Sequence, residues 1–178
     1  MAGVNAEKIK LGPCEVVFDE GTPEEIIFGT TKGGVVLTYE ETSREVTMDQ
    51  TGTTPLKEII TGRTASVAVP FGEYDKEKLL AVLPGSRLVV DSTDPTKSKV
   101  VVNATKVIDL LKFAKKMTLR PLAEGTTTND YITLPNAAPR ANLNYTFDYD
   151  NELITNVTFK GFPNANGDLI EFGDPSVV

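Results

Sequence analysis

At 178 residues, with 40% hydrophobic and 24% charged positions, the chain has the balance of a soluble globular protein and enough length for one domain with a proper core. A formal charge of −7 argues against gripping nucleic acid by phosphate neutralisation, but does not exclude a surface that nucleic acid must pass without sticking. The absence of histidine removes the commonest general base and zinc ligand, and one cysteine, Cys14, allows neither an internal disulfide nor a cysteine-rich metal site, so no enzyme activity, cofactor or metal is expected.

Residues 1–12 read as a flexible or docking arm. They lack the basic-then-apolar layout of a signal peptide, and no run has bilayer length, so a cytoplasmic start is expected. Cys14 to Phe18 (CEVVF) is the first predicted strand, with Cys14 a buried, inert thiol. Asp19 to Glu25 is an acidic turn. Six acids against two lysines in residues 1–30 make this end a solvated acidic face.

Gly33-Gly34 opens a long predicted hairpin. Val35, Leu37 and Tyr39 alternate with Val36, Thr38 and Glu40. A turn is placed at Glu41 to Arg44, after which Val46 and Met48 alternate with Glu45, Thr47 and Asp49. So long a ribbon needs partners along its edges, from its own sheet or from a neighbouring subunit. Thr51 to Gly62 reads as a loop with an apolar centre at Leu56, Ile59 and Ile60, long enough to suggest a binding role.

Gly62 to Gly85 (GRTASVAVPFGEYDKEKLLAVLPG) carries the densest local signals. Ala65, Val67 and Val69 alternate with Thr64, Ser66 and Ala68 as a half-buried strand stopped by Pro70 and Gly72. Asp75 is placed as a helix N-cap, Tyr74 and Leu79 as a hydrophobic staple, and Leu79, Leu80 and Leu83 as the apolar face of a helix ended by Pro84-Gly85. The helix is expected to lie as a lid on a β-sandwich or barrel.

Arg87–Asp91 and Lys99–Asn103 form a predicted hairpin around Asp94-Pro95. Val107 to Lys115 has helical spacing, which would put Lys112, Lys115 and Lys116 on the polar face and at the end of a helix. Met117–Arg120 is a strand. Tyr131–Leu134 is another, followed by a loop at Pro135–Arg140. Leu143 to Tyr149 reads as a strand with Leu143, Tyr145, Phe147 and Tyr149 on one face. Ile154–Phe162 returns with a bulge near Gly161, and Asn164–Asp168 is a turn before a last strand, Leu169–Phe172.

Apparent sites dissolve into simpler readings. Asp148-Tyr-Asp150-Asn151 and Asn164-Ala-Asn166-Gly167-Asp168 have oxygen ligands at metal-like spacing but lack the closing bidentate glutamate, and hairpin turns explain both. Glu40-Glu41 with Glu45 resembles a carboxylate pair for sugar hydrolysis, but the chain has no tryptophan to stack on sugar and the residues fall at a solvated tip. Asn103-Ala-Thr105, Asn144-Tyr-Thr146 and Asn156-Val-Thr158 fit a glycosylation acceptor only on a secretory route.

Three segments taken together resemble the tail tube (major tail) proteins of long-tailed bacteriophages: Gly62–Gly85, Asp109–Leu122 (DLLKFAKKMTLRPL) and Asn156–Pro175 (NVTFKGFPNANGDLIEFGDP), with a weaker likeness at CEVVFDEG. The resemblance spans most of the chain, residues 1–178 as one domain. It implies a mainly β fold, a β-sandwich or β-barrel with one or two short flanking α-helices. It further implies subunits that form hexameric rings, stacked into a virion tail tube assembled in the host cytoplasm. Such a tube carries double-stranded DNA in its bore and meets tape-measure, tail-tip and terminator proteins, with no membrane partner. On that reading the arm and the hairpin and loop at about 33–62 make subunit contacts through Val35, Leu37, Tyr39, Val46, Met48, Leu56 and Ile59, and Glu40, Glu45 and Asp49 are candidate bore-facing acids. A tube protein of a contractile tail or secretion system and a monomeric β-sandwich binding module are the alternative expectations. A sheath protein as companion would mark the first, and a lasting monomer that binds a ligand the second.

Overall fold

The structure, a computed structural model, describes residues 9–104, 107–150 and 152–177. Residues 1–8 of the expected arm, Thr105 of one acceptor match and Asn151 of one turn lie outside the described residues.

Among the described residues, ten strands and one α-helix follow in chain order: β1 (Cys14–Phe18), β2 (Ile26–Phe28), β3 (Val36–Val46), β4 (Lys57–Phe71), α1 (Lys76–Val82), β5 (Arg87–Val90), β6 (Ser98–Val101), β7 (Lys115–Pro121), β8 (Ile132–Asn142), β9 (Thr155–Phe162) and β10 (Glu171–Phe172). The fold is mainly antiparallel β. Eight strands form one sheet in the order β2-β1-β7-β8-β9-β4-β3, with β10 beside β8, and β5–β6 is a separate hairpin.

The sheet curls around a single core. Residues 26–32 join its two sides: β2 pairs with β1, and a few residues later Thr31 bridges to Phe71 of β4. There Lys32 N donates to Pro70 O at 3.0 Å and Gly72 N to Thr30 O at 3.0 Å. Inside lie Val16, Phe18, Phe28, Val67, Val69, Phe71, Met117, Leu119, Leu134, Val157 and Phe159. Phe28 bridges the strands, with its ring 4.9 Å from Phe71 and 6.0 Å from Phe159, while Phe18 lies 5.0 Å from Phe159. Tilted pairs of this kind satisfy the ring quadrupoles.

The clearest alternation is in β9, where Thr155, Val157, Phe159 and Gly161 face in and Asn156, Thr158 and Lys160 face out. The pairing of β9 with β8 is unbroken at Gly161, so the expected bulge is absent. Glycine serves close packing there instead, because a β-carbon would meet Ala65 O at 3.2 Å and Leu134 Cδ2 at 3.2 Å.

Helix α1 closes one side of the core. The Asp75 carboxylate accepts from Glu77 N at 3.0 Å, so the expected N-cap is present. Val82, absent from the predicted apolar face, is the residue that enters the core cluster; Leu79 is buried and Leu83 half-buried beside it. Tyr74, the expected staple partner of Leu79, is exposed, and the two line one surface hollow. The Tyr74 ring lies 6.4 Å from that of Tyr145.

Three predicted elements are corrected. The helix over 107–115 is a single 3-10 turn at Leu110–Phe113, after which Lys115 and Lys116 already belong to β7. Pro135–Arg140 is not a loop: β8 runs through it. Pro135 falls where the β7 pairing slips, between Met117↔Leu134 and Lys115↔Ala137, and Pro139 lies beyond the last β7 partner, so the missing N–H groups interrupt little. Leu143–Tyr149 is not a strand but part of the β8–β9 connection, with Phe147 and Tyr149 exposed. The Tyr145 hydroxyl lies 2.6 Å from Thr155 Oγ1 and ties this connection to β9.

Candidate functional site

The strongest departure from a self-sufficient domain is the β3–β4 ribbon. On its other edge β4 pairs with β9 only from Ser66 to Phe71, whereas β3 continues along β4 as far as Val46↔Lys57. From Lys57 to about Ala65, β4 therefore extends past the sheet with β3 as its single neighbour. Nearly every residue of this extension is exposed on both faces. A lone two-stranded ribbon is marginally stable in water and presents unpaired backbone groups along its edges.

The turn lies further out than the spacing predicts. Glu41–Arg44 is strand, and the chain reverses over 47–56. Leu56 N donates to Val46 O at 2.8 Å and Thr51 N to Met48 O at 2.9 Å, and Gly52 takes a φ of 60°. The predicted loop residues Lys57–Gly62 are the outer part of β4. A bulge accompanies them: Thr42 pairs with Gly62 and Ser43 with Ile60, which leaves Thr61 as the extra residue. Such a bulge sharpens the local twist and re-aims the side chains beyond it.

This register scatters the candidate contact residues. Val35 and Leu37 are half-buried and pack against the intrachain core. Leu37 and Tyr39 share one face with Glu41, while Val46 and Ile59 share the opposite face with Glu40. Met48 and Leu56 sit exposed at the tip. Ile60, not singled out from the sequence as a contact residue, is exposed and points away from Ile59. The acids also separate. Glu40 lies on one face, Glu45 on the other and Asp49 in the tip, so the three do not form one acidic surface. Glu40 and Glu41 project to opposite faces, so no adjacent carboxylate pair exists there.

Where the core gives out at the root of the ribbon, a polar trio takes over. Tyr39 Oη donates to Glu41 Oε1 at 2.7 Å and Arg63 Nε donates to the same oxygen at 3.2 Å. The Tyr39 hydroxyl and the Arg63 guanidinium hold the Glu41 carboxyl below its usual range, and Glu41 in turn raises Tyr39 and Arg63.

A second charge cluster braces the opposite side of the sheet. Asp19, in a left-handed conformation at φ 59°, accepts from Lys115 Nζ at 2.8 Å. Glu20 accepts from Thr118 Oγ1 at 2.6 Å and Arg120 Nη2 at 2.6 Å and lies 2.8 Å from Lys116 Nζ. Burial would push Glu20 up, but the hydrogen bonds from Lys116, Thr118 and Arg120 outweigh it and bring it to about 2. The expected lysine trio at a helix end is thus replaced by two strand lysines that pin the acidic loop over Thr118 and Thr133, both buried. The charged groups of the cluster pair with one another, while Arg120 Nε is buried without a hydrogen-bond partner, and the arrangement serves a structural role.

The end of the arm is docked. Lys10 Nζ donates to Gly125 O at 2.8 Å, while Ile9 and Leu11 stay exposed. Among the described residues, no group of three or more Cys, Asp or Glu side chains is placed to hold a metal, and no helix is long and apolar enough to cross a membrane. A scan against protein-family models and a search of curated proteins both return no match to this chain.

Proposed function

We propose that the chain is a structural subunit of a bacteriophage tail tube, polymerising as stacked rings around a bore that conducts double-stranded DNA. The observation that carries the reading is the β3–β4 ribbon, an 11-residue strand on a 15-residue strand that projects beyond its own sheet with exposed apolar side chains on both faces and at the tip. Pairing with a second copy satisfies its edge, and neighbouring copies packed on its two faces cover Ile59 on one and Ile60 on the other, with Met48 and Leu56 at the tip. The role is one of assembly rather than catalysis, located in the virion tail, with other tail proteins meeting the two ends of the tube.

Negative-stain microscopy of the concentrated protein, with sedimentation velocity alongside, tests it. Rings or tubes with a central hole are the expected result. A chain that remains a monomer at every concentration and in the presence of a tail-tip initiation complex overturns it.

A further inference from the structure

The solvent face of β8, β9 and β4 forms an open groove of about 580 Å³. Its floor is hydroxyl and amide: Thr64 and Ser66 from β4, Thr158 from β9 and Asn142 from β8. Two cations line it, Arg140 and Lys160, and no carboxylate does. Neither is in an ion pair among the described residues, and Lys160 Nζ lies 5.8 Å over the Phe162 ring. In a chain of net charge −7 this is a local reversal of sign. Glu40, opposite Thr64, is the acid nearest in register, at the rim.

The sheet register places the two residues on neighbouring strands of one face. Arg140 is directly opposite Thr158, and Lys160 is two residues further along β9. Such diagonal neighbours are about 7–8 Å apart at the backbone. Neighbouring phosphates on one strand of a duplex are about 3.4 Å apart in axial rise, and two long side chains rooted this close together can meet neighbouring phosphates at once. Hydroxyls and an amide between the cations offer further donors to phosphate oxygens without reading base identity.

We infer that this groove is a weak, sequence-independent contact for the phosphate backbone of duplex DNA. The choice of DNA among polyanions rests on the conduit reading above; the sign and donor set of the groove do not. Two cations per subunit provide transient contact, and a salt-sensitive affinity of this size lets a duplex slide rather than lodge. The surface that meets DNA is then the outer face of β8–β9–β4, in place of the separated acids Glu40, Glu45 and Asp49.

The test is fluorescence anisotropy of a labelled short duplex titrated with the full-length protein at low salt, with the assembly state read by sedimentation in the same buffer. The expected result is binding whose log affinity falls with log salt at a slope of about −1.8 per subunit, for two phosphates. Arg140→Gln and Lys160→Gln should each remove about one unit of slope, equally for all sequences. Lys99→Gln, outside the groove, should leave it unchanged. Absence of binding by the wild type at low salt, or binding that survives the double substitution with the fold intact by circular dichroism, overturns the site. Competition by poly-glutamate as strong as that by unlabelled duplex overturns the assignment to phosphate. Tubes that form without binding DNA sink the groove and leave the assembly reading standing; DNA binding by a lasting monomer does the reverse.

Discussion

Gly161 of β9 packs so closely on Ala65 of β4 that a β-carbon would sit 3.2 Å from the Ala65 carbonyl oxygen. The obstacle is backbone, which cannot swing aside as a flexible side chain does. Gly161→Ala should therefore destabilise the fold by about 1–3 kcal/mol, the usual cost of overpacking, read as a lower midpoint in urea denaturation. Gly29→Ala, where nothing lies within 4 Å of the added carbon, should move the midpoint little.

The ribbon and the core separate in mutants. Ile59→Lys and Ile60→Lys replace exposed side chains and should abolish tube formation while leaving thermal unfolding nearly unchanged. Leu37→Glu places a charge against the intrachain core and should cost stability of about 1–3 kcal/mol or more. Equal loss of fold in all three variants would count against an intersubunit use of the outer ribbon.

Glu20 sets an acid limit on stability. Its carboxyl is held at about 2, below the ordinary value of 4.5, so its contribution is fully present above the unfolded value and is lost as pH falls from there through about 2. Glu20→Gln removes that dependence and takes the shared carboxylate charge from Lys116 and Arg120, a loss of about 1–3 kcal/mol near neutral pH. Urea midpoints of the two proteins between neutral and acid pH should converge as the pH drops. A constant gap would mean that Glu20 does not titrate in this window.

Cys14 should label slowly. Burial, reinforced by the neighbouring Glu15 charge and opposed by a backbone hydrogen bond from Arg120, pushes its thiol up to about 11. Thiolate is then scarce at mildly alkaline pH, and the thiol also donates to Glu15 O at 3.3 Å. Iodoacetamide should modify the native protein far more slowly than the unfolded chain. Comparable rates would place the thiol in an open, ionised setting.

The parts of the fold that were legible share one property: a local signal agreed with the burial that tertiary structure imposed. Cys14–Phe18 is a strand with both of its predicted ends, and the inward set Ala65, Val67 and Val69 is buried. Asp75 caps its helix, and the Asn164–Asp168 turn closes with Asn164 N donating to Asp168 O at 3.0 Å. The ribbon misled because its strand is charged in the middle. Glu40, Glu41 and Arg44 read as a solvated tip, though no glycine or proline stands among them. The turn formers, Gly52 and Pro55, lie further on, and they mark the true reversal. The prolines of β8 misled in the opposite sense, since the cost of a missing N–H depends on which neighbour a strand has at that point, and that is a property of the sheet. The aromatic period of Leu143–Tyr149 serves an exposed connection where Tyr145 meets Tyr74 and Phe147 edge to face, a pattern that strand spacing alone does not distinguish. The groove went unnoticed because Arg140 and Lys160 stand in different strands, and pairing alone brings them together.

The pairing of β1 with β7 has a consequence for how the protein is made. Cys14 meets Pro121, so during synthesis the first strand waits about 5–20 s for its partner at ordinary elongation rates. Until then β2 is its one neighbour, and a two-stranded unit does not hold by itself. The ribosome thus releases most of the chain before any of it can close, and a nascent chain arrested before Lys115 should be cut by protease throughout, while one extended past Phe172 should resist.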